Sequence, residues 1–352
     1  MAPPRSGRAT YEASPNIALV KYWGVRDEAL ALPYNSSLSV TLDRLRTRTQ
    51  VEFDPRRTDD TLELNGRPAA ESARRSVSEF LDRVRHEAGI RTRASVRSFN
   101  NFPTASGLAS SASGFAALAG AATAAAGLDR SPLQLSQLAR FGSGSASRSI
   151  FGGFVEWRAG RRPDGRDCYA KPLFGPDHWP ALRDLVVLIA HAPEKAVRSA
   201  VAMQSSVRTS PDFGERQREV PRRLATIRRA IARRDADALF PAVMDECDSF
   251  RRVCETTRPT LNYLTSPSRA VLGEVIAANR EAGRSVAAYT HDAGAHVHVF
   301  TLSRDAARLR RRLAKVAGVR RVLVLQPGPG GRLRSRPGVG LRGSSRARSR
   351  PT

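Results

Sequence analysis

Three residues of this chain have surroundings suited to chemistry. Asp292 lies in Ala288-Tyr289-Thr290-His291-Asp292-Ala293-Gly294, where Gly294 suits a tight turn that aims a carboxylate into a cleft. Lys21 lies in Asn16-Ile17-Ala18-Leu19-Val20-Lys21-Tyr22-Trp23-Gly24, and a lysine amid apolar and aromatic neighbours seldom merely faces solvent. Beside a carboxylate, such an ammonium holds the acid ionised and steadies a reacting oxygen. Arg148 follows Ser143, Gly144 and Ser145, a run of small donors, and a guanidinium takes a carboxylate through two parallel hydrogen bonds. Each residue has a plain alternative: a turn-capping aspartate, a strand-end lysine with an exposed tip, a surface arginine in an arginine-rich chain.

A fourth feature is a small-residue loop, Pro103-Thr104-Ala105-Ser106-Gly107-Leu108-Ala109-Ser110-Ser111, running into an Ala, Gly and Leu stretch that ends at Gly127. A helix start carries unpaired N–H groups and partial positive charge, so it attracts anions. Gly107 lets backbone approach a ligand, and the hydroxyls of Thr104, Ser106, Ser110 and Ser111 add donors. The loop matches neither Gly-x-x-x-x-Gly-Lys-Ser/Thr nor Gly-x-Gly-x-x-Gly. On these residues alone, an ordinary capped helix with a small-residue packing face remains open.

The elements around these residues follow from periodicity. Thr47 to Phe53 and Thr92 to Phe99 alternate as strands, and Asn65-Gly66 signals a turn. Glu71 to Ala88 spaces Val77, Phe80, Leu81 and Val84 as a helix. Ile150 to Trp157, Asp184 to Ala190, Val286 to Tyr289, Val297 to Leu302 and Val319 to Leu325 read as strands. Glu219 to Ala232, Ala236 to Val253, Arg269 to Glu281 (stopped by Gly283) and Ala306 to Ala317 read as helices. Strands and helices without a strict βαβ rhythm predict an α+β fold of two packed layers.

The chain has 352 residues, enough for two domains with sizeable cores. Residues 10–182 and 183–330 are the expected domains, with 331–352 a basic, disordered tail holding seven arginines and no acid. No secretory signal or membrane span is read, and Cys168, Cys247 and Cys254 show no disulfide or metal spacing, so a cytoplasmic setting is expected. Only four lysines contribute to the net charge of +25, and this arginine bias carries no specific nucleic-acid footprint. It does supply a field that gathers anionic ligands. His296 and His298 share a strand face near His291, but no fourth metal ligand is at hand.

The loop resembles the Pro-x-x-x-Gly-Leu-x-Ser-Ser-Ala motif of the GHMP kinase superfamily. Residues 14–42 (SPNIALVKYWGVRDEALALPYNSSLSVTL), 142–157 (GSGSASRSIFGGFVEW) and the Asp-Ala-Gly block at 292–294 resemble the mevalonate diphosphate decarboxylase family, in family order. The resemblance implies a GHMP kinase-like fold with a ferredoxin-like C-terminal domain and an active site in the cleft between the domains. It implies ATP and Mg²⁺ as cofactors, mevalonate 5-diphosphate as substrate, a homodimer, and no membrane. Asp292, Lys21 and Arg148 would be catalytic. Asn16, Tyr22, Ser143, Gly144, Ser145, Arg148 and Ser199 would bind substrate. Asn101, Pro103, Thr104, Ser106, Gly107, Leu108, Ala109, Ser110 and Ser111 would bind ATP, with the metal ligands unassigned. Asn35, Ser36 and Ser37 would line the same cleft or serve as turn residues. Two departures stand out: Val25 where relatives commonly carry a lysine, which Arg26 or Arg198 would replace, and Ala295-His296 where they have Pro-Asn. The rival readings are a mevalonate 5-phosphate decarboxylase, a 3-hydroxyl kinase that does not decarboxylate, and an idle phosphate-ligand binding protein.

Overall fold

A computed structural model describes residues 7–102, 110–192, 197 and 199–335. The loop residues Pro103, Thr104, Ser106, Gly107, Leu108 and Ala109, and Arg198, lie outside the described residues.

The N-terminal part carries, among the described residues, two main sheets and a two-stranded ribbon, Val25–Asp27 with Leu32–Pro33. The larger has six strands, in the order Arg332–Ser335, Gly7–Ala13, Thr47–Phe53, Ala94–Asn100, Thr61–Leu64 and Arg67–Pro68. Thr47–Phe53 alternates buried and partly exposed residues, as its sequence demands, because one face of this sheet is covered by helices and the other is open. The covering helices are Glu71–Ala88 and the Ala-rich Ser110–Ala125. Small side chains let the latter lie close on the sheet: a Cβ on Gly120 would come within 2.3 Å of the Tyr11 ring. The smaller sheet is antiparallel, ordered Ala170–Phe174, Phe154–Trp157, Ser37–Thr41, Asn16–Val20, and Asn16–Val20 is its edge.

The C-terminal part runs strand Leu182–Ile189, helices, strands Ala287–Thr290 and Val297–Leu302, helix Ser303–Leu313 and strand Val319–Leu325. Numbering these strands one to four by sequence, their order across the sheet is 2-3-1-4, all neighbours antiparallel. That is the ferredoxin-like arrangement expected. Between strands one and two the chain inserts four helices, Ser199–Thr209, Asp212–Arg233, Ala236–Thr256 and Ser266–Ala282, the last stopped by Gly283 in the left-handed region. Ile17, Leu19, Val40 and Phe154 of the smaller N-terminal sheet pack with Val186, Ile227, Phe240 and Phe300 in one shared core. This joint brings Lys21 and Asp292, 271 residues apart, to one place.

One expectation is corrected. The tail does not begin at 331: Arg332–Ser335 adds an edge strand against Gly7–Ala13, with Thr10 opposite Ser335 and Glu12 opposite Arg332. Glu12 explains the docking, since it is buried and faces Arg46, Arg48, Arg332 and Arg334 within 3.6 Å. Arginines that look like tail composition are here charge partners.

Candidate active site

Lys21 follows the edge strand Asn16–Val20 directly, so its backbone leaves the ladder while its side chain turns into the cleft. Its Nζ donates to Asp292 Oδ1 at 2.9 Å, with the lysine side chain 4% exposed and the aspartate side chain 30% exposed. Asp292 thus sits at the mouth of the site with one oxygen held and one face open. A short turn orients it: the Gly294 N–H returns to the Asp292 carbonyl at 2.7 Å. Burial works against ionising Asp292, but the charge and hydrogen bond of Lys21, then His298 and Arg148, outweigh it. The carboxyl is held below its ordinary range and stays ionised at neutral pH.

Arg148 ends the four-residue helix Ala146–Ser149 and is buried. Its Nε donates to Asn16 Oδ1 at 3.2 Å and its Nη1 to Ser37 Oγ at 2.6 Å, while Nη2 has no partner among the described residues. Both partners are neutral, and among the described residues no carboxylate makes an ion pair with this guanidinium. Burial therefore lowers Arg148 to about 10, against the raising influence of Asp292 and Tyr22. A buried cation is costly without a countercharge, so this guanidinium is suited to take an anion. Asn16 is the hub that aims it, donating in turn to the Ser145 carbonyl at 3.1 Å and Ser149 Oγ at 2.8 Å.

Ser143, Gly144 and Ser145 form a half-exposed loop beside Arg148. Ser143 Oγ lies 3.1 Å from Ser145 Oγ and 3.5 Å from Ser111 Oγ, so this loop meets the first turn of Ser110–Ala125. Gly144 is required by packing, because a Cβ would fall 2.7 Å from both Trp157 and Tyr22. Tyr22 stands edge-on to Trp157 with ring centroids 4.8 Å apart, and burial raises its hydroxyl pKa. It is a wall of the site rather than an acid or base.

The chain is similar to known proteins along most of its length. The N-terminal family model, described as diphosphomevalonate decarboxylase-like N-terminal domain, matches residues 13–170. The mevalonate 5-diphosphate decarboxylase C-terminal domain matches residues 185–323. The chain belongs to the mevalonate diphosphate decarboxylase family. It is 43% identical over 314 residues to the diphosphomevalonate decarboxylase of Gibberella zeae, covering 85% of this chain and 82% of that one. It superposes with a TM-score of 0.87 and 34% identity on the mevalonate diphosphate decarboxylase of Staphylococcus aureus, covering 94% and 99% of the two chains. A second solved structure, described as a complex with MVAPP, AMPPCP and magnesium, aligns with a TM-score of 0.87 and 35% identity over 94% of this chain and 99% of that one.

Against that family background the remaining residues sort clearly. Asn101, expected at the nucleotide, has its carboxamide committed at both ends: Nδ2 donates to the Arg44 carbonyl at 2.7 Å, and Oδ1 accepts the Arg46 N–H at 2.8 Å. It ties the loop entry to a turn. Ser199 opens its helix half-buried. Arg26 is no substitute for a lysine at position 25, because its guanidinium reaches the carbonyls of Pro33, Ala159 and Gly160. Val25 packs against the Trp23, Met203 and Phe213 cluster.

The three histidines go three separate ways. His291 Nδ1 lies 2.8 Å from the Asp292 carbonyl, His296 Nδ1 accepts the Ile189 N–H at 3.1 Å, and His298 Nδ1 lies 2.7 Å from Asp184 Oδ2. Burial pushes His291 and His296 down to about 4, so both are neutral at working pH. Among the described residues no group of three or more His, Cys, Asp or Glu could hold a metal.

Sequence reasoning set Ser37 at the cleft, where its hydroxyl accepts from Arg148, but missed Glu246 and Arg216. Glu246 and Arg216 sit in amphipathic helices where charge normally means solvent, and nothing in the spacing marks them as buried.

Proposed function

We propose that this cleft converts mevalonate 5-diphosphate and ATP into isopentenyl diphosphate, ADP, phosphate and carbon dioxide. The observation that carries the reading is Arg148, a buried guanidinium that meets no contacting carboxylate among the described residues, near the salt-bridged Lys21 and Asp292. The relatives bear this activity in their names, and one solved relative holds MVAPP, AMPPCP and magnesium.

The chemistry follows from what the substrate lacks. A tertiary hydroxyl is a poor leaving group, so its oxygen first takes the γ-phosphoryl of ATP, and its proton passes to Asp292 Oδ2. A carboxylate held below its ordinary pKa is a weak base. That suffices, because phosphoryl transfer runs through a loose transition state in which the hydroxyl becomes acidic only late. Lys21 keeps Asp292 ionised and neutralises charge near the entering phosphoryl. Arg148 holds the substrate carboxylate through its free Nη2 edge. The C3–O bond then breaks with its electron pair leaving on phosphate, the bond to the carboxylate breaks, and that pair forms the new double bond. Ser143, Gly144 and Ser145 would donate to the substrate diphosphate, with Tyr22 and Trp157 excluding water behind them. Ser110 and Ser111 would face the nucleotide phosphates. Magnesium, which neutralises phosphate charge, would arrive on the nucleotide, since Mg²⁺ typically takes most ligands from substrate phosphates and water.

We place this activity on two domains, 10–182 and 183–330, in a cytoplasmic homodimer. Three buried, unpaired cysteines support a reducing compartment, and no described helix is long and apolar enough to cross a membrane.

Val25 favours a second reading, decarboxylation of mevalonate 5-phosphate, because position 25 carries no cation and Arg26 is turned onto the carbonyls of Pro33, Ala159 and Gly160. Purified protein supplied with ATP and either substrate, with carbon dioxide and phosphate followed together, decides between them. Turnover of the diphosphate at higher kcat/KM supports the first reading. Preference for the monophosphate supports the second, and phosphorylation without carbon dioxide release would overturn both.

A further inference from the structure

We infer that Glu246, paired with Arg216, is a positioning residue that fixes where Lys21 stands against Asp292; this rests on the catalytic reading of that pair given above. The problem it solves is geometric. Asn16–Val20 is an edge strand, and Lys21 lies one residue past its last ladder contact, with no strand to hold its N–H and C=O. Glu246 Oε1 accepts the Lys21 N–H at 3.0 Å. The Lys21 carbonyl accepts from Arg216 Nη2 at 3.1 Å and from Asn35 Nδ2 at 2.9 Å. Arg216 also pairs directly with Glu246, and Arg223 reaches the other oxygen at 3.5 Å. Both halves of the Lys21 peptide environment are thus gripped by one buried ion pair.

The helix carrying Glu246 also holds the other reacting group. On Ala236–Thr256, two residues further along, Asp248 Oδ2 accepts the Tyr289 hydroxyl at 2.9 Å, just before Asp292. Phe250 rests against His291 and Trp23, with centroids 5.6 and 5.0 Å away. A single rigid helix therefore touches the chain beside Lys21 and beside Asp292 and sets the distance between segments far apart in sequence.

Stability alone does not explain the pair. Glu246 is 0% exposed and Arg216 1% exposed, and among the described residues Arg216 Nε and Nη1 have no partner. A buried ion pair of this kind contributes little over a well-packed apolar pair. Placement of a reacting group is a different matter, because a shift of about 1 Å can lower turnover by about 10²-fold.

The test is the double variant Glu246→Leu with Arg216→Met, which removes both charges together, since Glu246→Leu alone strands a buried guanidinium. Melting temperature, kcat, both KM values and the pH dependence of kcat are compared with the parent. The expected result is a melting temperature at or above the parent's, kcat lowered about 10- to 100-fold, and KM within about threefold. The acid limb of kcat should move to higher pH, because Asp292 keeps its burial while losing Lys21. A kcat within threefold of the parent in a folded double variant overturns the inference. Should the double variant not fold, Glu246→Gln decides. A kcat lowered at least threefold at unchanged melting temperature supports the role, and an unchanged kcat overturns it. Asp292→Asn and Lys21→Met run in the same series. If they keep near-parental turnover, the reacting pair itself is misassigned and the positioning role falls with it.

Discussion

Arg85 and Arg148 are both buried arginines, and their surroundings differ in one respect that decides what each does. Arg85 lies beneath the six-stranded sheet on the helix Glu71–Ala88, where it takes Asp60 bidentately at 3.0 and 2.9 Å and Asp82 through Nε at 3.0 Å. Asp60 is saturated further by Ser78 Oγ at 2.5 Å and the Ala94 N–H at 2.8 Å. Burial would lower Arg85, but hydrogen bonds and charge from Asp60 and Asp82 more than reverse it, so its pKa is raised. Arg148 is as inaccessible, but among the described residues its hydrogen bonds go only to Asn16 and Ser37, and burial outweighs the more distant Asp292 and lowers its pKa to about 10. A buried cation with its anion supplied by the chain holds the fold together. One that meets no contacting anion among the described residues suits the proposed role of holding a ligand's carboxylate.

That contrast can be broken by experiment. The largest expected effect is Arg85→Met, which takes from buried Asp60 its bidentate partner and leaves only the half-exposed Arg93, 3.6 Å away, as a countercharge. It should cost about 3–5 kcal/mol of stability in denaturant unfolding while kcat/KM of the folded fraction stays at parental value. Arg148→Met should do the opposite, lowering kcat/KM by about 10²–10³-fold with no loss of melting temperature. Arg148→Lys should recover little, because an ammonium lacks the guanidinium's planar fork. Stability loss at Arg148, or kinetic loss at Arg85, would dissolve the distinction.

A pH series sharpens it. Burial tends to raise Asp60, but Arg85, Ser78 and the Ala94 N–H outweigh this and lower its pKa below the ordinary 3.8. The stabilisation is therefore complete above that value and is lost as pH falls through the lowered folded value. The stability gap between the parent and Asp60→Asn should be full at neutral pH and close on acidification. A gap that persists unchanged at low pH would mean the charge of Asp60 is not what matters. The smallest effect is expected at the edge of the same sheet. Truncation after Gly331 removes Arg332 and Arg334 from Glu12 and should cost about 1–2 kcal/mol, whereas truncation after Ser335 should cost nothing measurable in the melting temperature.

Much of the framework was legible in the chain. Thr47–Phe53, Glu71–Ala88, Val297–Leu302 and Val319–Leu325 lie where their periodicity put them, because alternation and 3.6-residue spacing record which face is buried. The periodicity of Asp212–Arg233 shows only from Glu219 onward, since Pro221 and a dense run of charge obscure its first turns. The strand Arg332–Ser335 was hidden for a related reason: four residues of tail-like composition become a strand only beside Gly7–Ala13 and Glu12. Lys21, Asp292 and Arg148 were each nominated by their local motifs, and the structure brings Lys21 and Asp292 into contact and leaves Arg148 open.

The sequence by itself determined which side chains could react and which segments would be strands or helices, because both are written in residue type and short-range spacing. Only the tertiary structure decided that, among the described residues, Arg148 contacts no anion while Arg85 contacts two. It also decided that Asn101 is spent on a turn and that Glu246 and Arg216 close over the Lys21 backbone. Those facts depend on neighbours dozens to hundreds of residues away, and a partner supplied or withheld across the shared core leaves no trace in local pattern.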